Sequence, residues 1–242
     1  LENLYWGDYS YTYTANYKYS VLGAVGVLGV QCRLTDEWAA GLAFTTPAAT
    51  LFGRGRIQMS EVLGDAQVAD AGAEYYDDLE ADNGLPAQLR AGIGWQRPGV
   101  GGFGIDATHH WSRDYEWMSG GSGDDALSIR QSRRAVTDLQ VGGEYVVRQR
   151  YPLRAGAFTS FSSAPDLEPD GESTLSQIDL YGVTASIGSE GETVVMNFGV
   201  SYVWGEGDAL GTRLDDAGEL ESIVSRTSES GLYVFASTAY RF

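Results

Sequence analysis

The feature that most constrains this chain is alternation with period two, repeated in segments about as long as a membrane-crossing strand, ~9–11 residues. The segment from Leu232 to Phe242 shows it plainly. One face carries Leu232, Val234, Ala236, Thr238, Tyr240 and Phe242; the other carries Tyr233, Phe235, Ser237, Ala239 and Arg241. The same pattern runs through Met196 to Trp204, Leu153 to Ser162, Phe103 to Trp111, Leu89 to Gln96 and Tyr9 to Thr14. In each segment one face is apolar and the other small or polar. A soluble sandwich also alternates, so two further features are needed. Trp38, Trp95, Trp111, Tyr202, Trp204 and Tyr240 sit near segment ends on the apolar face, as an interfacial aromatic girdle would. The polar face carries mid-strand charges, among them Arg90, Asp106, Glu144 and Arg154. A dry core would not hold these unpaired, whereas a wet lumen would.

The connections make an independent argument. About ten strands are predicted, over roughly 4–14, 18–34, 37–60, 85–97, 101–113, 136–148, 151–163, 174–188, 191–205 and 229–242. The first turn is expected near Ala15 to Tyr17, with one long strand through that region as the alternative. Short turns at Thr35-Asp36, Pro98 to Val100, Gln149-Arg150 and Ser189-Glu190 then alternate with long connections over 61–84, 114–135, 164–173 and 206–228. Bacterial barrels place short turns on the periplasmic side and long loops outside. The expectation is therefore an all-β fold, an antiparallel transmembrane β-barrel of the outer membrane, forming a single domain over 1–242. Its last strand runs from outside to periplasm.

Composition agrees and excludes other classes. Tyr and Gly are abundant and Pro is scarce, at 15, 32 and 6 residues. No apolar run approaches the ~18 residues of a membrane helix. Cys32 is the single cysteine and cannot form an internal disulfide. No signal peptide opens the chain at Leu1, which leads to the expectation that the N-terminus is processed or missing. A net charge of −17 argues against a nucleic-acid partner, which would need clustered cations.

Candidate chemistry is sparse. The 61–84 connection holds eight carboxylates, including Asp77, Asp78, Glu80 and Asp82, and no Lys or Arg. Calcium is one reading, since oxygen ligands suit it. EF-hand spacing is absent, and a solvated acidic loop is the favoured one. His110 shares a face with Asp106, but ~13 Å along the strand is too far for a His–Asp hydrogen bond. Ser112 shares that face but is again too distant along the strand to serve as a nucleophile, and cross-strand partners are not fixed by the sequence. No catalysis, cofactor or metal is expected; His110 should join a lumen hydrogen-bond network and His109 the interfacial belt. By parity Arg90, Asp106, His110, Glu144, Arg148 and Arg154 all project to the lumen. They could line a path for a solute or fill a narrow barrel by mutual salt bridging.

A family resemblance follows from particular runs: LTDEWAAGLAFTTP from Leu34 to Pro47, continued by LFGRG from Leu51 to Gly55. Further stretches follow in the same order, from Leu85 to Trp95, Val141 to Tyr145, Leu153 to Gly156 and Ser163 to Asp166, then Tyr240-Arg241-Phe242. These resemble the FadL/OmpP1/TodX family of hydrophobic-compound transporters. The resemblance implies a 14-stranded barrel plugged by an N-terminal hatch, passing long-chain fatty acids or aromatic hydrocarbons inward. The sequence carries neither the hatch nor the family's Asn-Pro-Ala motif, so hatch and first strands are expected to lie outside it. Tyr240 and Phe242 look like the signal read by the barrel-assembly machinery. Outer-membrane lipid, lipopolysaccharide and a hydrophobic small molecule are the expected partners. A docking barrel contacting a protein through its acidic loops is the alternative reading, and a general porin the second.

Overall fold

The computed structural model describes residues 2–6, 9–64, 69–121, 126–167, 176–191, 193–214 and 220–240. All regular structure among them is strand: β1 (Glu2–Trp6), β2 (Tyr9–Ala24), β3 (Val27–Arg33), β4 (Trp38–Thr45), β5 (Ala49–Gly64), β6 (Ala69–Ala81), β7 (Gln88–Arg97), β8 (Gly101–His110), β9 (Arg113–Gly120), β10 (Leu127–Arg133), β11 (Val136–Val147), β12 (Tyr151–Ser160), β13 (Gln177–Glu190), β14 (Val194–Leu214) and β15 (Leu220–Tyr240). They divide into two compact units, one over 1–25, 48–85 and 114–131, the other over 26–47, 86–113 and 132–242.

The larger unit is a nine-stranded antiparallel sheet in the order β15-β14-β13-β12-β11-β8-β7-β4-β3. Tight turns set its register. Thr35 closes the β3–β4 turn, its Oγ1 accepting from the amides of Glu37 and Trp38 at 3.2 and 3.1 Å. Gly99 supplies the positive φ of the β7–β8 turn. Arg148 and Gln149, both with positive φ near 50°, form the β11–β12 turn in the twist that two-residue hairpins prefer. Each strand then alternates, and the register lines the faces up. On one face Leu42, Ile93, Ile105, Val141, Leu153, Val183, Val200 and Val234 fall in line, all more than a third exposed.

Aromatic residues close this apolar band at both ends. Near the short turns, Phe103 packs against Trp38 and Trp95, with ring centroids 5.5 and 5.9 Å apart. Trp95 Nε1 donates to Glu37 Oε2 at 2.7 Å, the amphipathic pose expected at a membrane interface. At the far end Trp111 meets Phe44 and His109, and Trp204 meets Tyr181 and Tyr202. Met196 and Trp204 on β14 are separated by ~27 Å of strand, close to the ~25 Å apolar band of such barrels once tilt is allowed for. Beyond this band β14 and β15 continue as a two-stranded ribbon, paired to Leu214↔Leu220. On it Arg226 donates to Glu206 at 2.8 Å, and that hydrogen bond and charge raise the guanidinium pKa above its ordinary value.

The smaller unit is a six-stranded sheet, β1-β2-β5-β6-β9-β10. Here the apolar face turns inward. Ile57, Leu79, Ala81 and Met118 form a core at 5% exposure or less, with Val21, Met59, Tyr76 and Trp117 packed against it. Gly55 makes room: a Cβ there would approach Met118 Sδ to 2.9 Å.

Several expectations on strand boundaries are corrected. The strands expected over 18–34 and 37–60 each break in two, at 25–26 and 46–48, and their halves join different sheets. No turn forms at Ala15 to Tyr17, because β2 runs straight through. Much of the expected loops 61–84, 114–135 and 206–228 is strand (β5–β6, β9–β10, β14–β15), so fifteen strands are described rather than about ten. The β14–β15 ribbon is wet on both faces and carries no apolar alternation, and so it reads as a loop.

Candidate functional site

The inner face of the nine-stranded sheet borders an open cavity of about 1970 Å³, lined from β3 at one edge to β15 at the other. That exceeds the ~300–1,000 Å³ of an ordinary ligand pocket. The space comes from small residues. Gly41, Gly92, Gly94, Gly104, Gly142 and Gly156 lie side by side across five strands where larger residues would fill it.

Two groups of opposed charges stand on this floor. The first group is Arg90, whose Nε lies 3.6 Å from Asp106 Oδ1 and whose Nη2 donates to Gln140 Oε1 at 3.3 Å. The second centres on Arg154. Its Nε donates to Glu144 Oε2 at 2.6 Å and its Nη1 to Asn197 Oδ1 at 2.7 Å, while Nη2 lies 4.0 Å from Glu190 Oε1. Asn197 Nδ2 in turn donates to Ser237 Oγ at 3.4 Å. Register makes the Glu144–Arg154 pair, since the two residues are direct cross-strand partners. Each side chain keeps roughly a third of its surface open, so such a pair contributes ~1 kcal/mol or less to stability. Its larger consequence is electrostatic, because a close pair leaves little field for a passing ion to feel.

Two aromatic rings interrupt the polar face. The outer end of the Phe158 ring lies over Gly182, and that of Phe235 over Gly199, so closely that a Cβ on either glycine would run into the ring. Both rings line the cavity.

Of the expected lumen residues, Arg90, Asp106, Glu144 and Arg154 line the cavity. Two do not. Arg148 sits in the β11–β12 turn at φ 50°, where parity counting no longer applies. His110 ends β8 with Nε2 3.9 Å from Asp138 Oδ2, and Asp138 Oδ1 accepts from the Phe161 amide at 2.8 Å. His110 thus belongs to a clamp at the far rim of the sheet. Tyr240 pairs with Val194 at the end of β15 and is 68% exposed; Phe242 lies outside the described residues. Asp77, Asp78 and Glu80 fall on β6 rather than in a loop. Among the described residues no group of three His, Cys, Asp or Glu side chains could hold a metal ion.

The sequence reading missed Gln140, Glu190, Asn197, Phe158 and Phe235. The two phenylalanines carried a usable signal, since each is a large aromatic on an otherwise small or polar face. The polar three become visible only through register.

A sheet with its apolar face outward, aromatic rims, and a polar glycine-floored interior defines the fold class: all-β, of the kind from which antiparallel membrane barrels are built. Comparison with solved structures agrees. The chain is similar in fold to the "CymD monoaromatic hydrocarbon channel", at a TM-score of 0.50 and 14% identity, over 88% of this chain and 51% of that one. It thus spans about half the length of that channel. No family model and no curated protein sequence matches this chain.

Proposed function

We propose that this chain forms part of the wall of an outer-membrane β-barrel that passes small, uncharged, hydrophobic molecules inward without an energy source or a chemical step. It acts as a transporter of the FadL/OmpP1/TodX type rather than as an enzyme. The observation that carries the reading is that the charges at the middle of the inner face stand close to charges of opposite sign. Arg90 is matched by Asp106 and Arg154 by Glu144 and Glu190, on a floor of glycines beside Phe158 and Phe235. A polar-solute porin gains from opposed, unpaired charges that steer ions; paired charges favour a neutral solute, and the two rings give it an apolar surface to slide against. The fold likeness to a hydrocarbon channel supports this reading.

The apolar outer face supports the membrane location. It leaves Leu42, Ile105, Val141, Phe198, Leu232 and Val234 each more than two-fifths exposed, in a band that runs from β4 to β15, whereas soluble monomers rarely expose large contiguous apolar patches. Lipid and the acyl part of lipopolysaccharide are the partners for that face, and delivery by the barrel-assembly machinery follows from the location. The test is flux into proteoliposomes containing the full-length protein, comparing toluene with benzoate. Faster entry of toluene, with benzoate near the protein-free rate, supports the proposal. Equal acceleration of both, or of neither, overturns it.

A further inference from the structure

We infer that the smaller unit carries a second binding site, for a zwitterionic phosphate ester of the phosphoethanolamine type, on the face opposite its core. Lys18 is the only lysine of a chain with net charge −17. Register sets it directly across from Arg56, and sets Ser20 across from Arg54. Like charges opposed across two strands destabilise the pair. No ion pair relieves it: among the described residues no carboxylate comes within ion-pair distance of Lys18, Arg54 or Arg56. Arg54 instead stacks over Phe52 at 5.2 Å. The three cations line an open cavity of about 430 Å³, ample for a headgroup.

The same cavity is lined on its other side by Asp77 and Asp78. They belong to β6, the neighbour of β5, at an irregularity where pairing shifts between Gly55 and Ile57. Asp78 holds φ 54°, a conformation rare outside glycine that a short polar side chain tolerates. Crossing β2, β5 and β6 in order, the surface therefore reads cation, cation, carboxylate. A simple anion would be opposed by the two aspartates, and a simple cation by Lys18 and the arginines. A ligand with both charges a few ångströms apart satisfies all five. Its phosphate oxygens accept from Lys18, Arg56 and Arg54, geometry in which guanidinium groups serve well, and its ammonium group lies toward Asp77 and Asp78. Both Arg54 and Arg56 are exposed, as is Lys18, so the site costs the fold little beyond the opposed cations.

The test is isothermal titration of the full-length protein with O-phosphoethanolamine, inorganic phosphate and ethanolamine in turn. One saturable site is expected for O-phosphoethanolamine, at least tenfold tighter than for either fragment. Lys18→Gln and Arg56→Gln should each weaken it tenfold or more. The double variant Asp77→Asn/Asp78→Asn should reduce it to the affinity of inorganic phosphate. In the absence of ligand, Lys18→Gln should leave Tm unchanged or raise it, since it removes an opposed charge; a structural lysine would lower Tm. No saturable binding, or binding indifferent to Lys18→Gln and Arg56→Gln, overturns the proposal. Competition separates two sources of the ligand: displacement by lipopolysaccharide bearing phosphoethanolamine assigns the site to a lipid headgroup, and failure to displace assigns it to a free ester. The outcome is independent of toluene flux through the larger unit.

Discussion

The two units solve opposite problems with the same strand chemistry. In the smaller unit the apolar face curls inward, and Ile57, Leu79 and Met118 are at most 1% exposed. In the larger unit the apolar face looks outward, with Phe198 at 53% and Leu232 at 68%, while arginines and carboxylates line the interior. One unit closes its apolar face into a core, and the other leaves it open, which is what the proposed lipid contact requires. The difference teaches that alternation identifies strands, and that its phase relative to curvature identifies the solvent.

The largest effect should come from truncating both apolar faces. Leu79→Ala is expected to cost ~2–5 kcal/mol, because it leaves a cavity in a closed core. Phe198→Ala should cost about 1 kcal/mol or less in bilayers, because lipid refills the space a packed core cannot. Urea unfolding of the full-length protein from lipid vesicles measures both, and equal costs would break the comparison. Next in size is a charge on one strand's two faces. Val200→Arg should destabilise the bilayer-inserted protein by ~2–4 kcal/mol. Its neighbour Ser201→Arg, on the inner face, should fold nearly as well as the parent.

Smaller again is Glu144→Gln. Arg154 keeps Asn197 and Glu190, so the stability loss should stay within ~1 kcal/mol. The loss of one carboxylate, which makes the inner face less negative, should, however, raise benzoate entry in proteoliposomes relative to the parent. The smallest effect is expected at Arg226→Gln. That pair stands on the exposed part of the β14–β15 ribbon, and thermal melting should show no measurable change.

Much of the larger unit was legible in the sequence because its signal is local. Apolar residues at every second position of β7, β8, β11 and β12 fix both strand and face, and the turns at Thr35, Gly99 and Arg148 fall where the pattern pauses. The inner charges Arg90, Asp106, Glu144 and Arg154 followed from parity. Parity failed at Arg148, where the chain turns; His110 keeps its face, beside Asp138, but ends β8 beyond the cavity. The smaller unit was hidden for a different reason. On β2 and β5 its core positions are odd-numbered (Val21, Ile57, Met59), whereas the apolar positions of β3 and β4 are even-numbered (Leu28, Val30, Leu42, Phe44). The phase flips near Gly26 and Pro47, which is where the chain passes between units. A shift of phase within one apparently continuous strand was the readable sign of the boundary. The Lys18, Arg54 and Arg56 group had no such sign, because 36 residues separate Lys18 from Arg54 and only register joins them.

The central claim is that the convex face of the larger unit meets lipid and its concave face meets water. Single cysteines at 183 to 187 on β13, in a Cys32→Ser background, test it most directly. In proteoliposomes a membrane-impermeant maleimide should label Thr184→Cys and Ser186→Cys and spare Val183→Cys, Ala185→Cys and Ile187→Cys, with a lipid-soluble maleimide giving the reverse order. Uniform labelling along the strand, or labelling of the odd positions by the impermeant reagent, would contradict it.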